Sequence, residues 1–218
     1  MNPHLVFVHG WGFDAGSWRD IQEELPDFDC ETVDLGFYGR PAASRANGAA
    51  PVVAVGHSLG FLWLLHERPF PWRGLVSISG MPRFARSADY RCGVAPRVLD
   101  AMIGRLADDP TDSLSEFFEA CGCASPRAIA GADQSRLAEG LRWLKEWDAR
   151  DVLAQQQAPV LALYADDDAI VPKTMSESVF AARPNTRLCR RADGGHALPV
   201  TRARWCAGQI REFVGCLS

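Results

Sequence analysis

Val52-Val53-Ala54-Val55-Gly56-His57-Ser58-Leu59-Gly60 is the stretch on which the reading of this chain turns. Its four leading apolar residues read as a buried strand, and Phe61–His66 beyond it as a helix stopped by Pro69. A Gly-x-Ser-x-Gly between a strand and a helix forces a sharp turn that lifts the serine oxygen clear of the sheet. Glycine is needed on both sides because larger side chains would collide with the neighbouring strand and helix. Ser58 is then open to a base on one side and an acyl group on the other, which is what an activated nucleophile requires. The pentapeptide alone also fits a glycine-rich turn with an incidental serine, so the surrounding chain has to decide.

Working outward, Leu5–His9, Cys30–Leu35, Leu75–Ser79, Val160–Tyr164 and Thr186–Arg190 are further short apolar runs. They lack strict alternation, as do strands of a parallel sheet covered on both faces. Helical patterns separate them at Ser17–Leu25, Phe61–His66 and Arg202–Val214, the last with Trp205, Ile210 and Phe213 on one flank. This alternation implies right-handed crossovers and a doubly wound α/β fold of about six strands. Residues 81–150 carry helical signals only: Pro96–Leu106, Ser113–Cys121 after a serine cap, and Gln134–Trp147. The expected organisation is a core of residues 1–80 and 151–218 with 81–150 inserted. The insertion reads as a lid, because ligands enter such sheets at the carboxyl edge, or as a decorative helical block.

With 218 residues, 47% of them hydrophobic, the chain can bury a full core. A net charge of −4 leaves no excess positive charge to displace counterions, which argues against nucleic acid as a partner. Seven cysteines are irregularly spaced, and Cys121-x-Cys123 has neither a second pair nor a nearby histidine. That supports neither a disulfide framework nor a zinc site and leaves reduced, mostly buried thiols in a cytoplasmic protein as the expectation. Met1-Asn2-Pro3-His4 shows no charged leader and no long apolar stretch, so no signal peptide or membrane span is expected.

A serine nucleophile needs a base and an acid that orients it. Gly194-Gly195-His196 after the last apolar run supplies a histidine on an unencumbered loop, and Asp166-Asp167-Asp168 follows Val160–Ala165. His9-Gly10-Trp11-Gly12 follows the first run. Together these segments resemble the α/β-hydrolase superfamily across the whole chain. Within it the chain is most similar to the pimeloyl-acyl-carrier-protein methyl ester esterases of biotin synthesis (BioH type). The likeness is carried by His9-Gly10-Trp11-Gly12 with Trp18 seven residues beyond Trp11, Val33-Asp34-Leu35, Ser58-Leu59-Gly60, and Leu163-Tyr164 followed by Asp168-x-x-Val171-Pro172. Gly93 to Leu99, Asp108-Asp109 and Phe117-Phe118 extend it into the insertion.

The resemblance implies a cofactor-independent, metal-free serine esterase with Ser58, Asp168 and His196 as catalytic residues. Asp166 stays open as the alternative acid; otherwise Asp166 and Asp167 shape the turn or cap the next helix. The backbone N–H groups of Trp11 and Leu59 are the expected oxyanion donors. Trp11, Leu59, Phe117 and Phe118 are the expected substrate contacts, although a purely structural Trp11 is a competing reading, and His57 is expected to line the pocket. Three departures bear on substrate range. The chain starts at what would be the third strand, so the first two strands are expected to be missing. Only sixteen Gly-, Ala- and Pro-rich residues join Leu35 to Val52, where the family has a helix. Phe61 stands where a second glycine is usual, to crowd the helix start or reach into the pocket.

Arg83, Arg86, Arg91, Arg97, Arg105, Arg127, Arg136 and Arg142 lie in the insertion, interspersed with acids. Two readings are open: a docking surface for an acidic acyl carrier protein, or an ordinary solvated helical surface. A broad short-chain carboxylesterase or thioesterase is the alternative activity, and a non-catalytic ligand-binding member a third reading.

Overall fold

Six strands, β1 (His4–Val8), β2 (Cys30–Val33), β3 (Val52–His57), β4 (Gly74–Ile78), β5 (Val160–Ala165) and β6 (Thr186–Arg191), form one sheet. Its order is β2-β1-β3-β4-β5-β6 and every neighbouring pair is parallel. The computed structural model describes residues 2–46, 51–124 and 129–217. The helices are α1 (Arg19–Glu23), α2 (Leu59–Glu67), α3 (Pro96–Asp108), α4 (Pro110–Cys121), α5 (Gln134–Glu146), α6 (Arg150–Gln155), α7 (Lys173–Phe180), α8 (Leu198–Thr201) and α9 (Ala203–Gly215).

Successive strand residues point to opposite faces, so each strand feeds two cores. Leu5, Phe7, Val53, Val55, Leu161 and Leu163 pack with Ile21 of α1 and Ile210 and Phe213 of α9. Val6, Val8, Ala54, Leu75 and Ala162 pack on the other face with α2 and α7. Burial on both sides is why the inner strands β1, β3, β4 and β5 are largely apolar. The edge strands β2 and β6, read from sequence as buried apolar runs, are instead partly exposed and carry Glu31, Arg187, Arg190 and Arg191, because an edge strand lacks a neighbour on one side.

Between β4 and β5, helix α3 packs against α4 and α5, burying Leu99, Leu106, Leu114, Leu137 and Leu141. The block is tied to the rest of the chain by the Asp133 N–H to Phe37 carbonyl bond (2.7 Å) and the Trp11 indole N–H to Leu137 carbonyl bond (2.8 Å), and the Arg83–Asp148 ion pair (2.6 Å) closes its two ends on each other. The linker after β2 has no helix among its described residues 36–46; Asp34 and Ala42 bridge across it, and Phe37 is fully buried.

Several local expectations are corrected. The first helical stretch opens as a 3-10 turn, Ala15–Trp18, whose cap is Asp14 accepting from the Gly16 N–H at 2.8 Å. Ser17 lies inside that turn, and its hydroxyl donates back to the Asp14 carbonyl. Helix α4 is capped by Asp109, not Ser113, because Pro110 needs no donor at the first position and Asp109 reaches the Thr111 and Asp112 N–H groups. The thiols are free, but only Cys121 and Cys206 are buried; Cys30 and Cys189 sit on the sheet's two edge strands, half exposed. Phe61 fills the space beside Gly80, where a Cβ would stand 2.6 Å from its own Cβ, and packs on Phe180.

Candidate active site

The turn from β3 into α2 holds Ser58 at φ 52° and ψ −119°, a strained conformation for a residue with a side chain. Its N–H donates to the Ile78 carbonyl at 3.0 Å, fixing the elbow to β4. A Cβ on Gly56 would lie 2.4 Å from the Phe61 Cα, and one on Gly60 2.1 Å from the Val8 carbonyl oxygen. Only glycine permits either approach, so α2 can start directly above β1 and β3.

His196 reaches Ser58 from the loop after β6. Its Nε2 lies 2.9 Å from the Ser58 Oγ, and its Nδ1 lies 2.9 Å and 3.2 Å from the two Asp168 carboxylate oxygens. All three side chains are buried. Asp168 Oδ1 also accepts from the Ile170 and Val171 N–H groups at 2.9 and 2.8 Å. Burial opposes ionisation of Asp168, but the His196 charge and hydrogen bond and the two backbone donors outweigh it and hold the carboxyl below its usual range.

Asp168 rather than Asp166 meets His196. Asp167 accepts from the Gly194 and Gly195 N–H groups at 3.2 and 2.9 Å, which pins the histidine loop, and Asp166 pairs with Arg190 at 3.0 Å. Neither caps the next helix: Pro172 stands at the start of α7.

The loop after β1 runs beside the serine, so close that a Cβ on Gly10 would stand 3.1 Å from the Ser58 Cβ. Neither the Trp11 nor the Leu59 N–H donates to a group among the described residues. For Leu59 this follows from its place at the first position of α2, where a helix offers no partner. His9, which the sequence reading passed over, is fully buried, with Nδ1 2.9 Å from the Gly10 carbonyl oxygen and Nε2 2.9 Å from the Leu35 nitrogen. That carbonyl belongs to the same peptide group as the Trp11 N–H, so His9 fixes the direction in which the amide points.

Ser58 opens into a cavity of about 170 Å³ walled by Trp11, Phe84, Phe117, by Val98, Leu99 and Met102 of α3, by Leu141 and Leu144 of α5, and by Ile170 and Pro172. No charged side chain lines it. Trp11 is both a wall and an anchor: its indole N–H donates to the Leu137 carbonyl at 2.8 Å, and its ring meets Phe117 edge-on at 4.7 Å. Phe118 and Leu59 do not line the cavity. Consecutive helix residues diverge by about 100°, so Phe117 faces the cavity while Phe118 turns to Phe13, 5.2 Å away. His57 is no lining residue either; it lies behind His196.

Of the arginines in 81–150, Arg83, Arg105 and Arg136 are paired with Asp148, Glu116 and Glu139, and Arg86 donates to the Gly93 carbonyl. Arg91, Arg97 and Arg142 are exposed and have no ion pair among the described residues. Arg127 lies outside the described residues. No described helix is long and apolar enough to cross a membrane.

No protein-family model matches the chain. It is 30% identical over 245 aligned residues to the pimeloyl-[acyl-carrier protein] methyl ester esterase of Vibrio vulnificus (strain YJ016), covering 99% of this chain and 95% of that protein. It is 29% identical to the protein of the same description in Vibrio campbellii (strain ATCC BAA-1116), covering 98% and 95%. The solved structure of an esterase (EaEST) from Exiguobacterium antarcticum superposes with a TM-score of 0.82 at 17% identity, covering 99% of this chain and 93% of that one. The sheet and these relatives define an α/β-hydrolase that cleaves carboxylic esters. Similar over nearly its whole length, the chain belongs to the pimeloyl-[acyl-carrier protein] methyl ester esterase family.

Proposed function

We propose that this chain hydrolyses the methyl ester of a pimeloyl chain carried on acyl carrier protein, in biotin synthesis, through an acyl-enzyme on Ser58. The observation that carries the reading is the buried line Ser58–His196–Asp168, closed by 2.9 Å contacts at both links and opening on a cavity whose other walls carry no charged side chain and are predominantly apolar. The names of the relatives supply the substrate. A polymethylene chain suits such walls, which offer it no polar competitor.

In this reading the Ser58 Oγ attacks the ester carbonyl carbon while its proton passes to the His196 Nε2. The oxyanion is held by the Trp11 and Leu59 N–H groups, and ionised Asp168 offsets the imidazolium charge. His196 then gives the proton to the methoxy oxygen and methanol leaves. Water attacks the acyl-serine, its proton goes to His196 and returns to the Ser58 Oγ, and the carboxylic acid is released. Residues 1–80 and 151–218 act as the catalytic core, and 81–150 as a lid whose α3 and α5 wall the acyl site. The unpaired Arg91 and Arg97 lie within a few residues in sequence of Val94 and Val98, which line the cavity, and fit docking of an acidic carrier there. Seven free thiols fit a cytoplasmic setting.

The cavity has no polar group to recognise anything beyond the ester, which favours as a second reading a broad short-chain carboxylesterase or thioesterase. Hydrolysis of methyl pimeloyl-acyl-carrier protein and of a short nitrophenyl ester by wild type and Ser58→Ala separates the two. Fast cleavage of the carrier-bound ester, lost by roughly 10⁴-fold or more in Ser58→Ala, is the expected result. Serine-dependent activity on the nitrophenyl ester alone removes the pathway assignment and keeps the esterase.

A further inference from the structure

We infer that His57, the residue before the serine, is a positioning residue: an imidazole strut that holds the base loop and the oxyanion loop in register around Ser58. The inference rests on reading Ser58 and His196 as nucleophile and base.

His57 is 1% exposed, and its Nε2 donates to the backbone carbonyl of His196 at 3.0 Å. No other described residue donates to that carbonyl. The opposite edge of the ring lies against the loop after β1: a Cβ on Gly10 would be 2.8 Å from the His57 Nδ1 and 3.1 Å from its Cε1. The ring centroid is 5.0 Å from that of His196, and Phe13 at 5.1 Å and Trp18 at 6.4 Å brace it edge-on. One planar group therefore occupies the space a side chain at Gly10 would need, beside the residue whose carbonyl is joined to the Trp11 amide, and bonds the residue that carries the base, while itself fixed to the elbow. An apolar side chain would fill the same volume but leave the buried His196 carbonyl without a donor, releasing the loop that sets the distance from Nε2 to the Ser58 Oγ.

The titratable groups facing His57 are His196, Asp168 and His9. Burial, then the neighbouring His196, lower its pKa to about 3 against the pull of the hydrogen bond and Asp168. The strut thus stays uncharged while the adjacent ring takes up the serine proton, and a second cation never forms against it.

The test compares His57→Leu and His57→Gln with wild type on a short nitrophenyl ester, together with ¹⁵N imidazole NMR of the wild-type protein. His57→Leu is expected to lower kcat roughly 10- to 100-fold with little change in KM, since small misplacements of catalytic groups act on the reacting step. His57→Gln, which retains an N–H at the same reach, is expected to recover most of that loss. The spectrum is expected to show a neutral ring protonated at Nε2 from pH 5 to 8. A folded His57→Leu enzyme with a kcat within about twofold of wild type overturns the inference, as does a Gln variant no better than Leu. So does a ring protonated at Nδ1 or titrating in that range, which decides the matter if the variants do not fold. Full activity in Ser58→Ala would instead remove the nucleophile reading and leave the spectroscopic result standing.

Discussion

His57 and Asp168 each make a hydrogen bond to His196, and burial penalises the charged form of both. Asp168 is ionised because it has three hydrogen-bond donors, whereas His57 faces only a carbonyl and stays neutral. The two act on stability in different pH windows. Below the ordinary value of 6.5 the unfolded chain protonates His57, while the native state does not until about pH 3, so stability falls as pH drops through that interval. Asp168, held below its ordinary 3.8, contributes stability above that value and loses it only at lower pH. At pH 5 the loss due to His57, relative to neutral pH, is about 2 kcal/mol. Denaturant midpoints at pH 7.5 and pH 5 are expected to fall less in His57→Gln than in wild type; equal falls count against the buried neutral histidine. At this scale the glycine spacing made Ser58 and His196 legible. The tasks of His57 and His9 were not, because their partners come from other segments, 139 residues away for the His57–His196 bond.

The helices between β4 and β5 are amphipathic, and their apolar faces do two jobs. Leu99, Leu106, Leu114 and Leu137 hold the block together, while Val98, Met102 and Leu144 wall the space above Ser58. Apolar walls reward each added methylene by about 0.8 kcal/mol, close to fourfold in kcat/KM. A series of methyl esters is therefore expected to gain about fourfold per methylene until the cavity is full. Met102→Trp, at a half-buried wall position, is expected to stop that gain at a shorter chain while leaving a methyl acetate within about twofold. A chain-length profile unchanged by Met102→Trp shows that the acyl group lies elsewhere. Helical spacing located these elements in the sequence. It did not locate their caps, because an aspartate before a proline outcompeted the nearer serine at α4, nor which of Phe117 and Phe118 faces the cavity.

For the whole molecule, a net charge of −4 hides an uneven arrangement. Arg83, Arg105 and Arg136 are spent on local pairs, whereas exposed Arg91, Arg97 and Arg142 have none among the described residues, and Arg97 adjoins Val98, which is 43% exposed at the cavity wall. Reversing Arg91 and Arg97 to glutamate is expected to lower kcat/KM for the carrier-bound ester about tenfold at low salt and less at high salt, where screening shortens to a few ångströms. The nitrophenyl ester should be hydrolysed at the wild-type rate. Equal losses on both substrates, or none on either, argue that the carrier docks elsewhere.

What the sequence determined by itself is what short-range pattern and sterics dictate. Buried strands must be apolar throughout, the elbow must be glycine on both flanks, and the histidine loop must be unencumbered, so the parallel sheet and the serine and histidine at its carboxyl edge are legible residue by residue, with the acid narrowed to one run of three aspartates. Tertiary structure alone decided which aspartate meets His196, which phenylalanine walls the cavity, that Phe61 packs beside Gly80, and that His57 braces two loops. Each of those outcomes depends on where a side chain's neighbours arrive from distant parts of the chain, and local spacing carries no information about that.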